Sequence, residues 1–204
     1  ADCPMAHMVT VDRIKEVREQ YDDVAVVCYV NSTAEIKAVS DVCVTSSNAI
    51  KVVKNIKNKR IFFVPDNNLG RYVAKQLPEK EFIFNDGFCH VHKSIDPKLV
   101  AEAKEHHPDA LVLAHPECTE DVLELADYIG STAGILDYAT ESECKKFIIC
   151  TEMGIFFKLG KQNPDKKFYS VGHRQFCPNM KKVSLEKVAA VMENPTEEVL
   201  LSDD

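Results

Sequence analysis

Short unbroken apolar runs alternate along the chain with longer stretches in which apolar residues recur at helical spacing. Val24 to Val30, Asp41 to Thr45, Ile61 to Val64 and Glu81 to Phe84 read as strands. Val11 to Tyr21 places Val11, Ile14, Val17 and Tyr21, with Arg18, on or near one face and predicts a helix. Asn31-Ser32-Thr33 leads into a short helix, Ser46-Ser47-Asn48 is expected to cap one running to about Ile56, and Asp66-Asn67-Asn68-Leu69-Gly70 starts another. Continuous apolar strands that alternate with helices predict parallel sheets covered on both faces.

A shift of 86 residues reproduces this order without a gap. Asp23 to Thr33 falls on Asp109 to Thr119, Asp41 to Ala49 on Asp127 to Ile135, and Lys59 to Asn85 on Lys145 to Val171. Two repeated three-layer α/β/α units with short parallel sheets are the simplest account. In such sheets ligands gather at the carboxyl ends of the strands. The polar clusters fall there: Tyr29-Val30-Asn31 and His115-Pro116-Glu117 after the first strand of each unit, Thr45-Ser46-Ser47-Asn48 and Gly130-Ser131-Thr132-Ala133 after the second. The expected organisation is a junction at 1-8, a first unit at 9-88, a second at 89-176, and a cysteine loop and helix at 177-204.

Composition narrows the function. The chain has 204 residues, 45% hydrophobic and 28% charged, with a net charge of −7. No basic block or arginine-aromatic pattern runs through it, so nucleic acid is not the expected partner. The longest apolar runs are too short to span a membrane, and no signal peptide is apparent. Eight cysteines are too dilute for a disulfide scaffold and predict reduced thiols in the cytoplasm. Cys28, Cys43 and Cys150 lie in strand-like runs and are expected to be buried as small hydrophobes; Cys118 and Cys144 stay unassigned.

Three further cysteines form a series. Cys89 lies 86 residues after Cys3 and Cys177 lies 88 residues after Cys89, and each opens a polar turn leading into a helical pattern. Cysteines at one repeat-equivalent position meet where the repeats pack, which suggests a shared metal. Three thiolates without an obvious fourth ligand fit an iron-sulfur cube with one open iron, an electrophile for substrate oxygen or nitrogen. Zinc with His7, His90 or His92 as fourth ligand is the competing reading, as a non-catalytic metal-binding or scaffold module.

Ser46, and Ser131 with Thr132, each end a strand and start a helix, where free amides suit an anion. No Walker or Rossmann glycine pattern accompanies them. His115 and Glu117 are expected to point the same way as alternate strand residues, a candidate acid-base pair, and His92 lies within reach of a metal on Cys89. His106-His107 reads as a helix end, and Lys181-Lys182 as anion-neutralising or surface charge.

Together Cys3-Pro4-Met5-Ala6, Tyr29-Val30-Asn31-Ser32-Thr33, Thr45-Ser46-Ser47-Asn48-Ala49, Cys89-His90-Val91-His92, His115-Pro116-Glu117-Cys118, Gly130-Ser131-Thr132 and Cys177-Pro178-Asn179-Met180-Lys181-Lys182 resemble quinolinate synthase, the A protein of de novo NAD biosynthesis. The resemblance implies a three-domain pseudo-threefold architecture around one 4Fe-4S cluster held by Cys3, Cys89 and Cys177, with one iron open to substrate. It implies condensation of iminoaspartate, supplied by an aspartate oxidase or dehydrogenase, with dihydroxyacetone phosphate. Tyr29, Asn31, Ser46, His92, His115, Glu117, Ser131 and Thr132 would line the site, with Glu117 moving protons and Tyr29 and His115 assisting. The family's first domain has no counterpart here, so the chain is expected to be an incomplete, inactive fragment with apolar surface left uncovered. His90 stands where the family usually has proline.

Overall fold

The computed structural model describes residues 2–195 and 198–201. The first unit runs α1 (Val11–Gln20), β1 (Val24–Tyr29), α2 (Ala34–Ala38), β2 (Val42–Val44), α3 (Ala49–Lys54), β3 (Arg60–Val64), α4 (Asn67–Gln76) and β4 (Glu81–Phe84). A short helix, α5 (His90–Lys93), joins it to the second: α6 (Pro97–His106), β5 (Leu111–Ala114), α7 (Glu120–Leu123), β6 (Tyr128–Ile129), α8 (Thr132–Glu141), β7 (Lys146–Cys150), α9 (Ile155–Gln162) and β8 (Lys167–Ser170). Each unit holds a four-stranded, all-parallel sheet, in the orders β2-β1-β3-β4 and β6-β5-β7-β8.

Side-chain alternation along the strands makes the layers. In β1 and β3, Ala25, Val27, Ile61 and Phe63 pack under α3 and α4 with Val53, Leu69 and Val73. Val26, Cys28, Phe62 and Val64 pack on the opposite face, against Ile14 and Val17 of α1 and Ile36 of α2. The second unit repeats this: Val112, Ala114, Ile148 and Cys150 face Val100 and Val122, while Leu113, Phe147 and Ile149 face Ile135 and Leu159. Because both faces are covered, the central strands β1, β3, β5 and β7 carry continuous apolar runs, as the sequence pattern requires.

The repeat extends to polar detail. Val26 N donates to Asp41 Oδ2 at 2.7 Å and Val112 N to Asp127 Oδ2 at 2.8 Å, each aspartate closing the end of its short edge strand. Arg18 and Lys104, again 86 residues apart, pair with those carboxylates at 3.0 and 3.8 Å.

Two local expectations are corrected. Cys43 is exposed, because β2 is a three-residue edge strand and Cys43 alternates away from the side that buries Val44. Asn48, at the start of α3, caps nothing: its Oδ1 turns back to accept Thr45 N at 2.7 Å, so Ser46 and Ser47 belong to a closed turn and not to a helix cap. The last helix, α10 (Leu185–Glu193), buries no residue, and Leu185 and Met192 are each 81% exposed. With Met180, Val183, Val188 and Val191 it presents an uncovered apolar stripe. No helix among the described residues is long and apolar enough to cross a membrane.

Candidate active site

The carboxyl ends of both sheets open on one cavity of about 460 Å³, lined by Cys3, Cys89 and Cys177 together with Tyr29, Asn31, His92, His115, Glu117, Thr132 and Thr151. Each cysteine sits at a turn before a short helix. Cys3 precedes the 3-10 turn Pro4–His7, Cys89 is the cap residue of α5, and Cys177 precedes the 3-10 turn Met180–Lys182. All three thiols are free and partly buried.

A buried cluster of ionisable groups forms the floor. His92, His115 and Glu117 are 7%, 4% and 2% exposed. The two imidazoles stack with ring centroids 4.6 Å apart. Glu117 N donates to His115 Nδ1 at 3.3 Å, so that nitrogen carries no proton, and His115 Nε2–H faces Ser46 Oγ at 3.2 Å. Burial, then neighbouring His92, brings the His115 pKa down to about 4, which agrees with a neutral ring. Burial alone would raise the Glu117 carboxyl, but His92, with Nδ1 2.9 Å from Oε2, and then His115 hold it well below the usual carboxylate range. That His92 contact is out of line for a hydrogen bond, so Nδ1 stays without a directed partner while Nε2 meets Thr151 Oγ1 at 2.9 Å. Tyr29 is pushed well above the ordinary phenol value by burial and then by Glu117, and remains a protonated donor.

The cavity suits a cation. Its lining includes three thiols and the carboxylates Asp2, Glu117 and Glu152, with no lysine or arginine among the described lining residues. Burial, then the Glu117 charge, raises the Cys89 thiol strongly, and burial raises Cys3. A bound metal reverses that logic by favouring thiolates. Cys89, His92 and Glu117 also offer three donor atoms within 4.8 Å of one another.

The family model described as quinolinate synthetase A protein (NadA) matches residues 1–204. The chain belongs to this family. It is 54% identical over 188 residues to the quinolinate synthase of Caldicellulosiruptor saccharolyticus, covering 92% of this chain and 62% of that protein. It is 50% identical over 204 residues to the quinolinate synthase of Fusobacterium nucleatum, covering all of this chain and 68% of the relative. Quinolinate synthase 2 of Methanosarcina acetivorans is 48% identical over 199 residues, with 98% and 64% covered. The chain thus spans about two thirds of the length of these relatives, and less than that of the first.

Of the residues that the family resemblance singles out, Ser46 reaches the cavity through His115, and Thr132 lines it directly. Ser131 does not line it. Its Oγ caps α8 by accepting Gly134 N at 3.1 Å. His115 and Glu117 converge, but through the turn after β5 and not as strand alternation, since the strand ends at Ala114. His90 is exposed at the rim, His7 pairs with Asp2, and His107 stacks on Tyr169. Lys181 pairs with Glu152 at 3.0 Å. Thr151 and Glu152 also line the cavity; no motif marks them, and the one signal in the sequence is that both immediately follow the apolar strand β7.

His115 makes the metal-free fold acid-sensitive. Its folded pKa of about 4 lies below the unfolded value of 6.5, so protons bind the unfolded chain more readily between them. Stability is therefore full above pH 6.5 and falls toward pH 4, by about 2 kcal/mol between pH 7 and pH 5 from this group. Urea unfolding of the metal-free chain at those two pH values is expected to show that loss, and His115→Gln to remove most of it.

Proposed function

We propose that the chain carries two of the three α/β units of a quinolinate synthase, with boundaries at 9-88 and 89-176, and that it supplies most of the site condensing iminoaspartate with dihydroxyacetone phosphate. The observation that carries this reading is the convergence of Cys3, Cys89 and Cys177, from three distant segments, on the cavity that also holds Tyr29, His92, His115 and Glu117. Those three thiols would hold a 4Fe-4S cluster, which when bound supplies a Lewis-acidic iron with an open position.

The chain's own groups divide the remaining work. Glu117, kept ionised by its imidazole neighbours, accepts a proton from substrate. Tyr29, kept protonated, donates a hydrogen bond to developing negative charge, and His115, neutral with its proton on Nε2, assists by exchanging its Ser46 partner for substrate. Asn31 and Thr132 at the rim, with Ser46 held against His115 Nε2, orient the phosphate and carboxylate groups. An aspartate oxidase or dehydrogenase supplies the iminoaspartate. Eight free thiols and a metal-binding thiol set suit the reducing cytoplasm. The uncovered stripe on α10 supports a third unit packed there, and turnover is assigned to the three-unit protein.

Anaerobic reconstitution with iron and sulfide tests this. About four irons and four sulfides per chain, with cluster absorption, are expected. Uptake no greater than that of a chain lacking all three cysteines overturns it. The donor set of Cys89, His92 and Glu117 favours a second reading, a mononuclear zinc site without catalysis. One zinc per chain retained through aerobic purification, with no iron-sulfur uptake, would establish that alternative.

A further inference from the structure

Two carboxylates recur at one position of the repeat. Asp66 lies two residues beyond β3 and Glu152 two residues beyond β7, and 86 residues separate them. Each commits one oxygen to the start of the following helix: Leu69 N donates to Asp66 Oδ1 at 2.7 Å, and Gly154 N to Glu152 Oε2 at 2.6 Å. The other oxygen receives the backbone amide of a cysteine, Cys89 N to Asp66 Oδ2 at 3.0 Å and Cys177 N to Glu152 Oε1 at 3.2 Å. The flanking residues differ, Pro65 and Asn67 against Thr151 and Met153, and the two acids differ in length, yet the same pair of duties is kept. Asp66 is fully buried, and the Glu152 side chain is 11% exposed.

We propose that Asp66 and Glu152 are positioning residues for the cofactor-ligating cysteines. Each pins the backbone of Cys89 or Cys177 to the head of α4 or α9, so that the thiol is held toward the shared cavity. This rests on the reading of Cys89 and Cys177 as cluster ligands. Both oxygens accept a backbone N–H, the duty of a carboxylate, although at Asp66 burial and then the Glu117 charge push the pKa up to about 8 against the pull of the Leu69 and Cys89 amides. A carboxamide at the same place turns its NH2 against one of the two N–H groups and loses that bond. Cys3 has a carboxylate on its amide as well, Asp2 Oδ1 at 2.8 Å, but from an exposed neighbour that also engages His7.

The test compares Asp66→Asn and Glu152→Gln with wild type and with Asp96→Ala, which removes the N-cap of α6 without touching a cysteine. In the iron-loaded chain, loss of iron to a chelator is expected to quicken roughly 10- to 100-fold in the first two variants. It should stay near wild type in the third, and Asp66→Glu should restore much of it. In the metal-free chain, amide hydrogen exchange should accelerate at Cys89 in Asp66→Asn and at Cys177 in Glu152→Gln. Wild type that loads iron, with variants that lose it no faster than Asp96→Ala, overturns the positioning role alone. Wild type that loads no iron overturns the cluster assignment and the positioning role with it.

Discussion

Replacement of Cys89 by serine is expected to leave a folded chain that retains less than about a tenth of the wild-type iron after anaerobic reconstitution. Groups that merely orient a ligand already cost 10- to 100-fold in metal affinity when removed, so deleting one of three ligands costs more. Serine fills nearly the same space in the partly buried turn before α5, and its hydroxyl does not ionise to replace a thiolate. Cys3→Ser and Cys177→Ser are expected to behave alike. Cys43→Ser, at an exposed edge-strand position, should load iron as wild type does. Iron and sulfide counts with circular dichroism on the same samples check this, and equal iron content in all four variants would remove the basis for a three-thiol centre.

The second large effect belongs to Glu117. Its carboxylate is nearly inaccessible and faces His92 Nδ1 at 2.9 Å, while Asn68 of α4 donates to its backbone carbonyl at 3.1 Å, tying it across the two units. Glu117→Ala empties a nearly inaccessible polar site facing His92 and is expected to lower stability by about 1–3 kcal/mol, read as a urea midpoint at neutral pH. Glu117→Gln keeps the shape and should largely spare the fold. In the complete three-unit enzyme it should reduce quinolinate formation by roughly 10²- to 10⁴-fold, the usual worth of a positioned general base. Unchanged turnover in Glu117→Gln would assign proton transfer elsewhere.

The layers of the fold were legible because every central strand is apolar on both faces and the 86-residue shift keeps that pattern. Val26 and Val112, or Phe62 and Ile148, face equivalent sides in the two units. Edge strands were less legible: nothing in Val42-Cys43-Val44 distinguishes a residue covered by a helix from one left open, and Cys43 is open. At the site, the residue types were readable but their partners were not. Asp66 and Asn68 announced a helix start, yet one reaches Cys89 and the other Glu117, across 23 and 49 residues. The proton on His115 was equally hidden, because it is decided by the amide of Glu117 folding back over the ring.

Tyr29 and His115 occupy the same place in the two units, as do Asn31 and Glu117. At this rim the two units differ in kind: one offers a phenol and an amide, the other an imidazole and a carboxylate. Transplanting either pair between copies would create a cavity with matched walls, and so ask how much of the chemistry depends on the two halves being unlike.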